Sequence, residues 1–365
     1  MREYVLTILV AAAVTYLLTP VIQRIALATG ALTPVRDRDV HAIPTPRLGG
    51  IAMFLGLAAG LLVASQLPRL RVVFEDTTWL FLLAGCGLIC LLGALDDRWS
   101  LDALTKLAGQ VAVGGLLALG GVQLLWLPLP SGALGLTREQ GVVLTVLLIV
   151  ATVNAVNFID GLDGLAAGIV GIAAVSFFTY AYVLSVVKGY ERMAMPAMIT
   201  AILAGMCAGF LPHNFNPARV FMGDSGSMLI GVLLAASTIT LTGWFDSGTV
   251  TALNLFPAIL PLLIPVAVLA VPFVDLALAV VRRTRAGRLP WAPDKEHLHH
   301  RLLRIGHSHA RAVLIMYFWA ALIGFATVAV SIVDVPILVM TVAATVGLLA
   351  LLTLHVPRLI ATRRR

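Results

Sequence analysis

The sequence predicts an all-α polytopic membrane protein of about eleven transmembrane helices, and three observations carry that prediction. Of its 365 residues, 60% are hydrophobic and 12% charged, with a mean hydropathy of +0.99, which leaves no room for a soluble domain between the spans. The apolar residues fall into runs near 5–27, 48–67, 79–95, 103–125, 142–158, 165–187, 195–211, 228–244, 253–281, 312–332 and 335–354, against about 17–25 residues for an ordinary span. The carboxylates, amides and histidines gather at the ends of these runs. The whole chain, 1–365, therefore reads as one integral membrane domain that includes a basic, histidine-bearing loop over 282–311.

Each element has its own signature. The first run is too long for a signal-peptide core and only Arg2, beside Glu3, precedes it, so it is expected to stay as a helix. Asp102 stands where it would cap the fourth span. Lys106, one turn on, either pairs with Asp102 at i,i+4 or faces a site. Run 253–281 carries Pro257, Pro261, Pro265 and Pro272, which predicts a kinked or broken helix. Cys86, Cys90 and Cys207 lie in apolar runs with no metal-ligand or disulfide spacing and read as packing residues.

Eleven spans put the termini on opposite sides, and charge decides which is which. One set of alternate loops, with the carboxyl-terminal tail, holds nineteen Arg and Lys; the other holds six. The positive-inside rule assigns the first set to the cytoplasm, with the amino terminus outside and the carboxyl terminus inside. All the polar motifs then fall on the cytoplasmic side, although they played no part in building the topology. They are Pro46-Arg47-Leu48-Gly49-Gly50, Asp96-Asp97, the stretch from Asn154 to Gly164, Phe221-Met222-Gly223-Asp224-Ser225-Gly226-Ser227, and His297-Leu298-His299-His300-Arg301.

The stretch Asn-Ala-Val-Asn-Phe-Ile-Asp-Gly-Leu-Asp-Gly, 154–164, places Asn154, Asn157, Asp160 and Asp163 at the end of an apolar run. A carboxylate in a membrane helix costs about 2.5–3.5 kcal/mol on the insertion scale, so such groups mark a site. Asp96, Asp97, Asp160, Asp163 and Asp224 brought to one face cannot all ionise without a cation. Their oxygen-only chemistry suits magnesium, with manganese as its substitute. Asp224, in Gly-Asp-Ser-Gly-Ser at a span's start, is the best single ligand, and free N–H groups there could also hold a phosphate oxygen. The basic loop suits phosphate contacts; a zinc site lacks a completing Cys and the His-Glu-x-x-His pattern. Phe221, taken alone, reads as an interfacial aromatic.

Five blocks in this order and on this topology resemble the polyprenyl-phosphate N-acetylhexosamine-1-phosphate transferases, over nearly the whole chain. That resemblance implies that Asp224 and Asn157 ligate magnesium at the diphosphate of a UDP-sugar, that Phe221 stacks on uracil and that Asp163 accepts a hydrogen bond from it. It further implies that Lys106 contacts phosphate and that His297, His299, His300 and Arg301 bind diphosphate and sugar, with Asn154 and Asp160 on the substrate side of the same stretch. Asp96 or Asp97, with Asp97 preferred, is the implied base toward the lipid phosphate. The chain carries Pro46-Arg47-Leu48-Gly49-Gly50 where the branch that uses UDP-MurNAc-pentapeptide carries Pro-Thr-Met-Gly-Gly, and this resemblance favours UDP-GlcNAc as donor and undecaprenyl or decaprenyl phosphate as acceptor. The expected location is the inner (cytoplasmic) membrane, with no nucleic-acid partner and with the homodimer common in the family. A secondary transporter would show repeats and a midplane site. A CDP-alcohol-type phosphotransferase fails at Gly168 of Asp163-Gly164-Leu165-Ala166-Ala167-Gly168.

Overall fold

The computed structural model describes residues 1–33, 45–129, 132–187, 193–243, 308–332 and 339–348, with isolated positions between. Lipid offers nothing to hydrogen-bond an exposed backbone, so the apolar runs fold as helices. In chain order these are α1 (Arg2–Thr29), α2 (Gly49–Ala64), α3 (Thr78–Trp99), α4 (Ala103–Leu119), α5 (Arg138–Ile159), α6 (Leu165–Tyr182), α7 (Ala194–Asn214), α8 (Gly223–Gly243), α9 (His309–Ile332) and α10 (Val339–Leu348). Among the described residues, seven helices are long and apolar enough to cross a membrane, and α2, α4 and α10 are shorter apolar helices. The chain is thus a mostly helical, multi-pass membrane protein. The expected span at 253–281 lies outside the described residues.

Helix α8 is the hub. It packs against α2, α3, α5, α6 and α7, and its whole apolar window is buried, whereas only 28% of the corresponding window is buried in α1 and in α9. Small residues allow that closeness: a Cβ added at Gly231 of α8 would lie 2.8 Å from the Val153 Cα of α5. The hydroxyls of Ser237, Thr238, Thr240 and Thr242 donate to carbonyls one turn back, so α8 buries these polar groups at no cost in unpaired donors.

Two details depart from the sequence expectation. The fourth helix ends at Leu119 rather than near 125, because Gly121 turns left-handed at φ 101 and Val122 N–H donates to Leu117 O at 2.9 Å, a Schellman-type stop. Two small antiparallel ladders accompany the helices: β1 (Leu32–Thr33) pairs β2 (Thr45–Pro46), and β3 (Trp126–Leu129) pairs β4 (Gly132–Gly135). The first of these carries the chain from α1 into the segment that meets α8.

Candidate active site at the start of α8

The amino-terminal turn of α8 sits where α2, α3 and α5 end or begin, and remote segments supply the partners its backbone lacks. Phe221 N–H donates to Pro46 O at 2.8 Å, while Gly49 and Gly50 N–H donate to Phe221 O and Met222 O at 3.1 and 3.0 Å. The free first N–H groups of α2 are thereby satisfied by the segment leading into α8. That zipper requires Leu48 at φ 81, and it brings Arg47 beside α3. The N–H groups of Asp224 and Ser225 donate to Asp97 Oδ1 and Oδ2 at 2.9 and 3.1 Å. They are therefore taken, which corrects the expectation that they stand open to phosphate.

On the other face of that turn lies a charged cluster. Lys106 Nζ lies 3.0 Å from Asp96 Oδ2 and 3.2 Å from Asp224 Oδ2. Asp102, instead of pairing with Lys106, caps α4 through the N–H groups of Leu104 and Thr105. Asp224 Oδ1 accepts from Asn157 Nδ2 at 3.0 Å, and the same amide donates to Ser227 Oγ at 2.9 Å. Asp96 Oδ1 accepts from Leu101 N–H at 2.7 Å. Asp96, Lys106, Asn157 and Asp224, from four helices, thus form one connected polar group.

The remaining predicted residues take different places. Asn154, one turn deeper on α5, donates to Gln110 Oε1 at 2.6 Å and to Val150 O at 2.8 Å, so it continues the polar line one turn into the helices. Asp163 is only 2% exposed, and its Oδ2 accepts from Asn216 Nδ2 at 2.8 Å and from Ala218 N–H at 3.0 Å; it holds the segment after α7. Asp160, at the end of α5, has its pKa pushed up to about 8 by desolvation first and then by the Asp224 and Asp97 carboxylates. Arg47 Nη1 lies 3.8 Å from Asp97 Oδ1, and Phe221 is half-buried. His297, His299, His300 and Arg301 lie outside the described residues.

The structure adds residues that the sequence reading did not single out. Asn214 accepts from Gly164 N–H and donates to Val220 O, both at 3.0 Å, tying the 160–164 turn to the approach to α8. Tyr317 of α9 donates its hydroxyl to Gly164 O. Gln110 was detectable as an amide one turn beyond Lys106 in an apolar helix, and Asn214 as an Asn just before the Asp224 block. Tyr317 carries no local signal at all.

The donor set fits a hard divalent cation. Asp224 brings a carboxylate and Ser227 a hydroxyl, and Asn157, which turns its Nδ2 toward both, also carries an amide oxygen, oxygen chemistry that suits a hard cation better than zinc. Among the described residues no group of three His, Cys, Asp or Glu side chains could hold an ion by itself. Desolvation raises the Asp160 pKa first, and the nearby Asp224 and Asp97 carboxylates add to it while Arg47 opposes it.

A family model described as glycosyl transferase family 4 matches residues 79–242, the segment holding Asp96, Lys106, Asn157 and Asp224. The decaprenyl-phosphate N-acetylglucosaminephosphotransferase of Mycolicibacterium smegmatis is 46% identical over 331 residues, spanning 89% of this chain and 81% of its own. Its Mycobacterium tuberculosis H37Rv namesake is 45% identical over 330 residues, spanning 89% and 82%. The probable undecaprenyl-phosphate N-acetylglucosaminyl 1-phosphate transferase of Bacillus subtilis is 32% identical over 327 residues, spanning 89% and 83%. With likeness running over most of both chains, this protein belongs to glycosyl transferase family 4, among the polyprenyl-phosphate N-acetylhexosamine-1-phosphate transferases.

Proposed function

We propose that this protein transfers GlcNAc-1-phosphate from UDP-GlcNAc to a polyprenyl phosphate, releasing UMP and leaving polyprenyl-diphospho-GlcNAc in the membrane. The carrying observation is the connected group of Asp96, Lys106, Asn157 and Asp224 at the ends of four helices in a chain of this family. The names of the mycobacterial and Bacillus relatives support GlcNAc as the sugar and decaprenyl or undecaprenyl phosphate as the acceptor.

The chemistry asks for alignment and charge neutralisation more than for covalent work. An oxygen of the lipid phosphate attacks the sugar-bearing phosphorus, the bond to the UMP oxygen breaks, and UMP departs. Asp224 and Asn157 would hold magnesium; when bound, it supplies Lewis-acid neutralisation of the diphosphate. Lys106 adds a fixed positive charge beside the same phosphates, and Asp96 orients the acceptor and takes any proton it still carries. That proton is seldom present, because the second pKa of a phosphate monoester is near 6. Arg47 and the loop bearing His297, His299, His300 and Arg301 gather the diphosphate and sugar, and Phe221 stacks on the uracil. Asp163 accepts a hydrogen bond from the uracil ring, while its Oδ2 also ties down the segment at Asn216 and Ala218.

The same reading includes eleven spans with the amino terminus outside, the site at the cytoplasmic face of the inner membrane, one domain over the whole chain, and a homodimer. The test is UMP release by purified protein supplied with a UDP-sugar. The reading requires that release depend on both magnesium and polyprenyl phosphate, and that UDP-GlcNAc outcompete UDP-GalNAc and UDP-MurNAc-pentapeptide. Release that ignores the lipid, or efficient use of the pentapeptide donor, would overturn it.

A further inference from the structure

We propose that Asp97 is a positioning residue that clamps the first turn of α8, so that Asp224 meets Asn157 and Lys106, and that it is not the base toward the acceptor phosphate. The inference rests on the metal site proposed at Asp224 and Asn157.

Both carboxylate oxygens of Asp97 are committed to α8: Oδ1 accepts from Asp224 N–H at 2.9 Å and Oδ2 from Ser225 N–H at 3.1 Å. A helix start offers unpaired N–H groups and a partial positive charge, and a carboxylate from a neighbouring helix answers both. Its side chain is 0% exposed, and Arg47 lies 3.8 Å from the same group. A base must come within hydrogen-bond reach of the proton it takes, and this carboxylate is walled off on that side.

The surrounding backbone is shaped to the same end. A Cβ on Gly223, which sits at φ 68, would lie 2.2 Å from Asp97 Oδ2; one on Gly93 would lie 2.3 Å from Ser225 N, and one on Gly50 would lie 2.2 Å from Gly226 N. Glycines on α2, α3 and α8 thus let the turn seat against Asp97 with no side chain between. Asp96 precedes Asp97 by one residue, about 100° around the helix, and faces Lys106 instead. Adjacent carboxylates of one motif therefore do different work: Asp96 lines the reacting group, while Asp97 fixes the helix that presents Asp224.

The experiment measures Mn2+ binding by electron paramagnetic resonance on purified Asp97→Asn and Gly93→Ala proteins, beside the pH profile of UMP release. In Asp97→Asn an amide NH2 faces one of the two backbone N–H groups, so Mn2+ affinity falls about tenfold or more. Turnover falls with it, while both limbs of the pH profile stay where they are in the wild type. Gly93→Ala, which leaves the carboxylate intact but pushes on Ser225, gives the same loss of affinity. Wild-type Mn2+ affinity in Asp97→Asn together with a missing limb of the profile would make Asp97 the base and overturn the proposal. Should Asp97→Asn fail to fold, Gly93→Ala decides: retained affinity refutes the clamp. A wild-type protein that binds no Mn2+ would remove the metal-site reading itself, whereas unchanged affinity in the variants denies only the clamp.

Discussion

Replacing Lys106 with methionine removes the cation that joins Asp96 to Asp224 while keeping most of the length of the side chain. Its Nζ lies 3.0 and 3.2 Å from the two carboxylates, so each contact is worth about 5 kcal/mol gross at an effective dielectric constant near 20. Most of that is cancelled by desolvation, and the Lys106 side chain is 29% exposed. The net worth lies between the roughly 0–1 kcal/mol of a surface pair and the 3–5 kcal/mol lost when a buried pair is broken. A loss of about 2 kcal/mol follows for the metal-free protein. The same carboxylates are what a divalent ion would seek, so removing the ammonium removes its competitor and tightens Mn2+ binding by about 30-fold. The assay is a thermal-unfolding series in detergent with increasing Mn2+. Lys106→Met begins less stable than the wild type and gains more from the ion, following the mass-action rise of stability with ligand. Its turnover falls by about 10²-fold, since one fixed charge is missing from the phosphate. Unchanged stability without metal, or a weaker response to Mn2+ than the wild type shows, would refute the role of Lys106 as the counter-charge of this site.

Asp224→Asn is expected to lose Mn2+ affinity by about 10²-fold or more and nearly all turnover, since an amide replaces the anion that both Lys106 and Asn157 face; titration with Mn2+ checks the first and UMP release the second. Asp160, with its pKa raised from an ordinary 3.8 to about 8, binds a proton in the folded protein that the unfolded chain releases between those values. Metal-free protein should therefore lose stability as pH rises from about 4 through about 8, and Asp160→Asn should flatten that slope in melting curves taken across the range. Lys188→Cys in a background lacking Cys86, Cys90 and Cys207 should react with an impermeant label added from outside, and Arg219→Cys should not; the reverse pattern would invert the proposed topology.

Helix positions were legible because lipid leaves an apolar run little other choice, and α5, α7 and α8 begin and end within a few residues of the predicted bounds. Asp96, Lys106, Asn157 and Asp224, singled out because polar and charged side chains are costly beside lipid, meet in the fold. Their roles were less legible. Asp96 and Asp97 are indistinguishable in sequence, yet one residue of helical rotation separates Lys106 from the start of α8 as the partner. The N–H groups ahead of Ser225 looked open because the carboxylate that fills them lies 127 positions earlier in the chain. The contacts of Asp163 were hidden for the same reason: Asn216 and Ala218, which bond its Oδ2, belong to a segment that only the fold brings near. A left-handed Leu48 ran against local preference, since its reward, the zipper to Phe221 and Met222, is long-range.

We propose that the connected group of Asp96, Lys106, Asn157 and Asp224 serves transfer of a sugar phosphate onto a membrane lipid. Mass spectrometry of the lipid extract, after purified protein is incubated with UDP-GlcNAc, decaprenyl phosphate and magnesium, tests it most directly. A decaprenyl-diphospho-GlcNAc ion should appear with wild-type protein and disappear with Asp224→Asn or on chelation of the metal. A lipid fraction that stays unchanged while the wild-type protein is folded and metal-loaded would contradict it.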